Sequence, residues 1–152
     1  MLGNVLAGGL SSRFGSDKAV HLVDGEPMAV RVARVLAEAG LAPRLVARAP
    51  RGLGLPELIE PDGPRHPLWG VAAALADGDG FFTPVDLVDL RVEQVRALLA
   101  ARGRAKGQPL LGFFPASFRE VALEAALAGR PVREVVTAEV DVGVVRNLNR
   151  KG

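Results

Sequence analysis

The strongest constraint on the fold lies in residues 2–18, where an apolar run from Leu2 to Ala7 gives way at once to Gly8-Gly9-Leu10-Ser11-Ser12-Arg13-Phe14-Gly15-Ser16-Asp17-Lys18. A short apolar run stopped by a glycine pair reads as a buried strand feeding a tight turn. Glycines let backbone N–H groups approach an anion closely, and Arg13 and Lys18 can neutralise its charge. A triphosphate suits such a loop, with the two cations facing charge that develops on a departing pyrophosphate. Neither common phosphate fingerprint is present. Gly15 and Lys18 are separated by Ser16-Asp17, unlike a Walker loop, and no Gly-x-Gly-x-x-Gly occurs. Ser11 and Ser12 read as hydrogen-bond donors rather than attacking groups.

From Pro27 the apolar period becomes helical, with Met28, Val32, Val35, Leu36 and Ala39 on one face and Gly40 just past the end. Arg44 to Ala47 and Glu57 to Glu60 are expected strands, Leu68 to Ala76 an alanine-rich helix, and Gly80 to Thr83 an apolar strand stopped by Pro84. Arg91 to Ala101 is amphipathic through Val92, Val95, Leu98 and Leu99. Gln108 to Phe114 is strand-like, and Phe118 to Leu127 is helical, closed by Gly129 and Pro131. A short helix, Val132 to Val136, and a strand near Val144 complete the order. Alternating strands and helices predict an α/β fold: a single domain over 1–152, with a doubly wound, mostly parallel sheet covered by helices on both faces. Ligands of such folds bind at the carboxyl ends of the strands. The glycine-rich loop, the segment after Thr83 and the segment after the last strand all fall there.

Composition removes several alternatives. The 152 residues, 49% of them hydrophobic, can bury one substantial core. The longest apolar runs, such as Val71 to Ala76 and Pro109 to Phe114 with their apolar neighbours, fall far short of the ~20 residues of a membrane span. No basic leader or cleavage pattern of the secretory kind precedes the first strand, so a cytoplasmic location is expected. Zero cysteines exclude disulfides and thiolate ligands, leaving oxygen or histidine to hold any metal. Net charge is +2 with scattered basic residues, and there is one tryptophan and no tyrosine, so neither a basic tract nor an aromatic platform for nucleic acid exists.

Asp86 places a carboxylate at the carboxyl end of the Phe81-Phe82-Thr83 strand, where one or two carboxylates with substrate phosphates and water suit magnesium. Asp89 is a nearby competitor. Two of the three asparagines, Asn147 and Asn149, lie together; they can offer a carbonyl oxygen to a metal and amide hydrogens to a phosphate, or form a terminal turn. Asp62 has two readings, a hydrogen-bond acceptor for N–H groups of a bound ligand, or a cap for the following helix. His21 sits in an apolar stretch and reads as structural, and His66 is loop-borne, so no histidine-based centre is expected.

Taken together, Leu6-Ala7-Gly8-Gly9-Leu10-Ser11-Ser12-Arg13-Phe14-Gly15-Ser16-Asp17-Lys18 resembles the signature of the molybdenum cofactor guanylyltransferases. Asp24-Gly25-Glu26-Pro27-Met28 is similar to that family's Gly-x-Pro segment, Pro67-Leu68-Trp69-Gly70 to its Pro-Leu-x-Gly turn, Pro84-Val85-Asp86 to its Pro-x-Asp metal motif, and Asn147-Leu148-Asn149 to its Asn-x-Asn. Val88 stands where a second proline is usual, and Trp69 where a small residue is common. The resemblance implies transfer of GMP from GTP to the terminal phosphate of molybdopterin with Mg2+, through catalytic Arg13, Lys18 and Asp86. It implies nucleotide contacts from Leu6, Ala7, Gly8, Gly9, Lys18, Asp62, Pro67, Leu68, Gly70 and Asp86, acceptor contacts from Asn147 and Asn149, and metal contacts from Asp86 and Asn149. A molybdenum-inserting enzyme or a recipient molybdoenzyme is an implied partner. The alternatives are a cytidylyltransferase of the same fold and a nucleotide-binding protein that has lost turnover.

Overall fold

A computed structural model of the chain describes residues 1–7 and 19–147. Strand β1 (Leu2–Leu6) lies at the centre of a six-stranded sheet, and its three middle residues are buried. A short hairpin, β2 (Leu22–Val23) and β3 (Glu26–Pro27), leads into helix α1 (Met28–Glu38). Strands β4 (Ala42–Ala47) and β5 (Glu57–Ile59) follow, then helix α2 (Pro67–Leu75) and strand β6 (Gly80–Pro84). Helix α3 (Val92–Ala101), the hairpin β7 (Arg104–Ala105) and β8 (Gln108–Phe114), and helices α4 (Arg119–Ala128) and α5 (Val132–Val135) complete the order. The sheet runs β5-β4-β1-β6-β8-β7; β1, β4, β5 and β6 are parallel, and β8 and β7 add antiparallel.

The parallel strands bury both faces, which is why they read as continuous apolar runs. Successive residues feed opposite cores: Leu45, Ala47 and Phe81 pack with α1 and α3, whereas Val46 and Phe82 pack with α2 and α4. Each fully buried Leu or Phe contributes roughly 1.5–3 kcal/mol. In α1 the buried face includes Met28, Val32 and Leu36 as expected and adds Ala29 and Ala33, while Val35 and Ala39 are only partly covered at its edge. Asn4 is buried at the sheet centre because its polar groups are met: Nδ2 donates to the Phe81 carbonyl at 3.2 Å and Oδ1 accepts from Arg44 at 3.0 Å.

One sequence expectation is corrected. No strand forms near Val144; residues 141–146 lack regular pairing, and the segment is held by isolated bridges at Val140 and Asn147. Side chains from elsewhere hold its carbonyls instead. Gln94 of α3 donates to Val142 O at 2.9 Å and Gln108 of β8 donates to Val145 O at 3.0 Å.

The capping reading of Asp62 is corrected as well, since His66 caps α2. Its Nδ1 accepts from Leu68 N–H at 3.1 Å, which places the ring proton on Nε2, 2.7 Å from the Arg130 carbonyl beyond α4. This loop-borne histidine therefore ties two helices. His66→Ala is expected to cost about 1 kcal/mol, the usual worth of a cap. For a chain of this size that lowers the melting temperature by roughly 2–4 °C; an unshifted transition would show that the ring does not hold the helices together.

Candidate active site

The carboxyl edge of the sheet assembles the site around the end of β1. Ala7 N–H donates to Val46 O of β4 at 2.8 Å, and on the other side Val85 N–H donates to Leu6 O at 3.1 Å. The backbone therefore leaves the sheet toward the glycine-rich segment from between β4 and β6. Gly8, Gly9, Arg13 and Lys18 lie outside the described residues, as does Asn149. Leu6 and Ala7 stand at the mouth of that segment.

Asp86, only 8% exposed, follows β6 on the same edge. Asn147 reaches it from the chain's far end, Nδ2 donating to Asp86 Oδ1 at 2.9 Å. The orientation of the Asn147 amide is fixed by a third side chain: Gln108 Nε2 donates to Asn147 Oδ1 at 2.8 Å. With its oxygen engaged by Gln108, Asn147 turns its nitrogen toward the carboxylate, so it orients Asp86. The sequence offered one signal for Gln108, a polar side chain opening an otherwise apolar strand, but nothing local marks its partner.

Asp89 serves a different purpose. Its carboxylate accepts from Arg146 N–H at 2.7 Å and from Arg146 Nε at 2.9 Å, while Val88 N–H donates to Arg146 O at 3.2 Å. This clamp lays 146–147 antiparallel against 87–88 and so delivers Asn147. Burial pushes the Asp89 carboxyl up, but the hydrogen bonds and charge of Arg146 outweigh it and hold the group below the usual carboxylate range. The clamp is thus intact above that range and is lost as pH falls through the folded-state value.

On the other side of β1, Pro67, Leu68 and Gly70 open α2, with Leu68 and Gly70 buried. Asp62 lies exposed on the loop before them. That loop is pinned by Trp69 Nε1, which donates to Pro61 O at 2.8 Å, and by Arg48, which donates to Gly63 O at 3.0 Å and Pro64 O at 3.3 Å. Trp69 is accommodated because Gly63 has no side chain; a Cβ there would stand 2.4 Å from the indole. Gly70 is required for a similar reason, since a Cβ would come within 2.9 Å of Glu60 Oε2.

Glu60, just past β5, was not singled out by the sequence. Its side chain is 6% exposed, and its charged partner among the described residues is Arg48 at 3.8 Å. Burial pushes its carboxyl above the ordinary range, and the Arg48 charge offsets this only in part. With the folded-state value raised, the cost of ionising Glu60 is absent at low pH and sets in as pH rises through that value. Glu60→Gln removes the charge at constant shape. It is expected to melt above wild type at pH 7, with the advantage fading near about pH 4, where the unfolded chain also holds the proton. A lower melting temperature at pH 7 would contradict this cost.

A central strand that runs into a glycine-rich sequence segment, with a carboxylate following the neighbouring strand at the carboxyl edge of a doubly wound sheet, defines the class of Rossmann-like nucleotide-binding folds. The sequence pattern of the MobA-like NTP transferase domain matches residues 3–148, and the chain belongs to that family. It is 31% identical over 150 residues to a probable molybdenum cofactor guanylyltransferase of Pyrococcus furiosus, covering 94% of this chain and 75% of that one. A Rhodopirellula baltica protein of the same description is 31% identical, over 76% of this chain and 68% of its own. Among solved structures, the molybdopterin-guanine dinucleotide biosynthesis protein A of Archaeoglobus fulgidus has the same fold at TM-score 0.73, with 18% identity over 93% of this chain and 84% of its own. The fold also matches 2-C-methyl-D-erythritol 4-phosphate cytidylyltransferase of Thermus thermophilus at TM-score 0.67, with 14% identity over 97% and 92%. Among the described residues no helix is long and apolar enough to cross a membrane.

Proposed function

We propose that this protein transfers GMP from GTP to the terminal phosphate of molybdopterin, releasing pyrophosphate. The observation that carries the reading is the placement of Asp86, oriented by Asn147, one strand away from the mouth of the glycine-rich segment. The names of the P. furiosus and R. baltica relatives support the choice of substrates. An oxygen of the acceptor phosphate attacks the α-phosphorus of GTP, and the bond to the α,β-bridging oxygen breaks, so the electron pair leaves with pyrophosphate. Arg13 and Lys18 would face that leaving group. No protein nucleophile is needed, because the acceptor is already a phosphate.

The donor chemistry fits Mg2+. The Asp86 carboxylate is hard oxygen, and substrate phosphates with water complete such a shell. Asp86 would hold the ion, with Asn149 as the further oxygen donor. Bound there, it supplies charge stabilisation at the α-phosphate. Asn147 keeps the carboxylate turned to the site, and Gln108 keeps Asn147 turned to the carboxylate. A cytoplasmic setting and delivery of the acceptor by a molybdenum-inserting enzyme, or of product to a recipient molybdoenzyme, accompany this reading.

Incubation with Mg2+, molybdopterin and each nucleoside triphosphate in turn, followed by detection of pyrophosphate and dinucleotide, tests it. GTP should give the product, whereas preferential use of CTP would place the protein among cytidylyltransferases and no turnover would point to binding alone. Gln108→Leu keeps volume but loses the donor to Asn147, so turnover is expected to fall on the order of tenfold, the lower end for a partner that orients a metal ligand. Unchanged turnover would mean that Asn147 holds its orientation without Gln108.

A further inference from the structure

We infer that Gln94, in the first turn of α3, is a positioning residue for Asp86: it latches residues 142–147 in place so that Asn147 meets the carboxylate. The inference rests on the reading of Asp86 as the metal carboxylate. Residues 86–94 and 142–147 pair antiparallel at Leu87 and Asn147, and three side-chain contacts join them. Asn147 Nδ2 donates to Asp86 Oδ1 at 2.9 Å, Arg146 Nε to Asp89 Oδ2 at 2.9 Å, and Gln94 Nε2 to Val142 O at 2.9 Å. These contacts stand in for a strand ladder.

The Gln94 amide has one orientation. Its Oε1 accepts from Arg91 N–H at 2.9 Å at the start of α3, so its nitrogen faces Val142. The residue is 3% exposed, and a buried amide in that position holds its bonds because water does not replace them. The ionic contact is of another kind. The Asp89 and Arg146 side chains are 33% and 74% exposed, so their attraction is weak and is screened by salt. Between Val140, bridged to Ala105, and Arg146, whose carbonyl accepts from Val88 N–H at 3.2 Å, the segment is held through its carbonyls by Gln94 and Gln108. Gln108 turns the Asn147 amide, and Gln94 fixes where the segment lies. A neutral, buried latch holds at any ionic strength, whereas the ion pair alone does not.

The Val88 N–H reads the docked segment in protein free of nucleotide and metal, because its acceptor is Arg146 O. Gln94→Leu removes both bonds of the amide. Gln94→Glu keeps an acceptor for Arg91 N–H, but at about pH 8 its carboxylate has no hydrogen for Val142 O, so this variant separates the latch from the helix cap. With both variants shown folded by circular dichroism, hydrogen exchange at Val88 should rise on the order of tenfold in each. In Gln94→Leu, raising salt from about 0.05 M to about 0.5 M should add a further several-fold, and little in wild type, because the variant depends on the ion pair. A general loss of stability would not bring that salt dependence. In turnover, the Mg2+ concentration for half-maximal rate should rise roughly threefold to tenfold in both variants, with kcat at saturating Mg2+ near wild type. Wild-type exchange at Val88 in either variant overturns the latch. Faster exchange with an unchanged Mg2+ requirement overturns the positioning of Asp86 by Gln94. Failure of the wild type to use any nucleoside triphosphate overturns the functional reading instead, and exchange at Val88 then upholds or overturns the latch by itself.

Discussion

Asp86→Asn is expected to lower turnover with GTP and molybdopterin by on the order of a hundredfold or more, while the protein stays folded. The substitution keeps the shape and one carbonyl oxygen, so Asn147 Nδ2 still has an acceptor where it now meets Oδ1 at 2.9 Å. What disappears is the negative charge that would hold a hard cation beside the α-phosphate. A hundredfold corresponds to about 2.7 kcal/mol of barrier, the scale of one preorganised transition-state contact. GTP affinity should change less, because Arg13, Lys18 and the backbone of the glycine-rich segment are expected to keep the phosphates. Asp89→Asn is the comparison. Asp89 grips Arg146 rather than the reacting groups, so its loss should act only through a looser Asn147 and cost far less. Equal losses at the two positions would assign the cation to both carboxylates, and full activity in Asp86→Asn would remove Asp86 from the mechanism.

Gly112→Ala should be the most destabilising single-methyl change in the sheet. Gly112 has φ +150° in the middle of β8, and a Cβ would stand 2.3 Å from the Gly103 carbonyl oxygen and 2.6 Å from the Arg104 Cα. Neither neighbour is a flexible side-chain tip. Both belong to the backbone leading into β7, which pairs irregularly with β8 at Arg104 and Ala105. Relief therefore requires the hairpin to separate, and overpacking against backbone combined with an unfavourable φ costs roughly 3 kcal/mol or more. At about 2–4 °C per kcal/mol for a chain of this length, the melting temperature should drop by around 10 °C. The damage should also spread to the site, because β8 carries Gln108. A transition within a degree or two of wild type would mean that the β7–β8 pairing accommodates the methyl without strain.

The sequence alone determined most of the frame. Buried parallel strands are apolar on both faces, helices carry a 3.6-residue period, and glycine and proline punctuate their ends, so residues 28–38, 67–75, 80–84 and 108–114 were legible within a residue or two. Motif order along the chain placed Asp86 and Asn147 among the candidates before any contact was known. Short elements escaped. The β2–β3 hairpin and β7 have two residues per strand, too few for a period, and residues 141–146 look like a strand because valines occur there, although side chains of Gln94 and Gln108 satisfy carbonyls in place of a ladder.

Only the tertiary structure decided which polar side chains act together. Asn147 meets Asp86 across 61 residues and Gln108 meets Asn147 across 39, distances at which no local pattern carries information. It also separated two acids two positions apart. Asp62 and Glu60 look alike in sequence, yet the chain leaves one in solvent and turns the other under Gly70 against Arg48. The physical reason is that periodicity and turn chemistry act through neighbouring backbone, whereas burial of a charge and the aim of an amide depend on what other strands and helices bring to the same point.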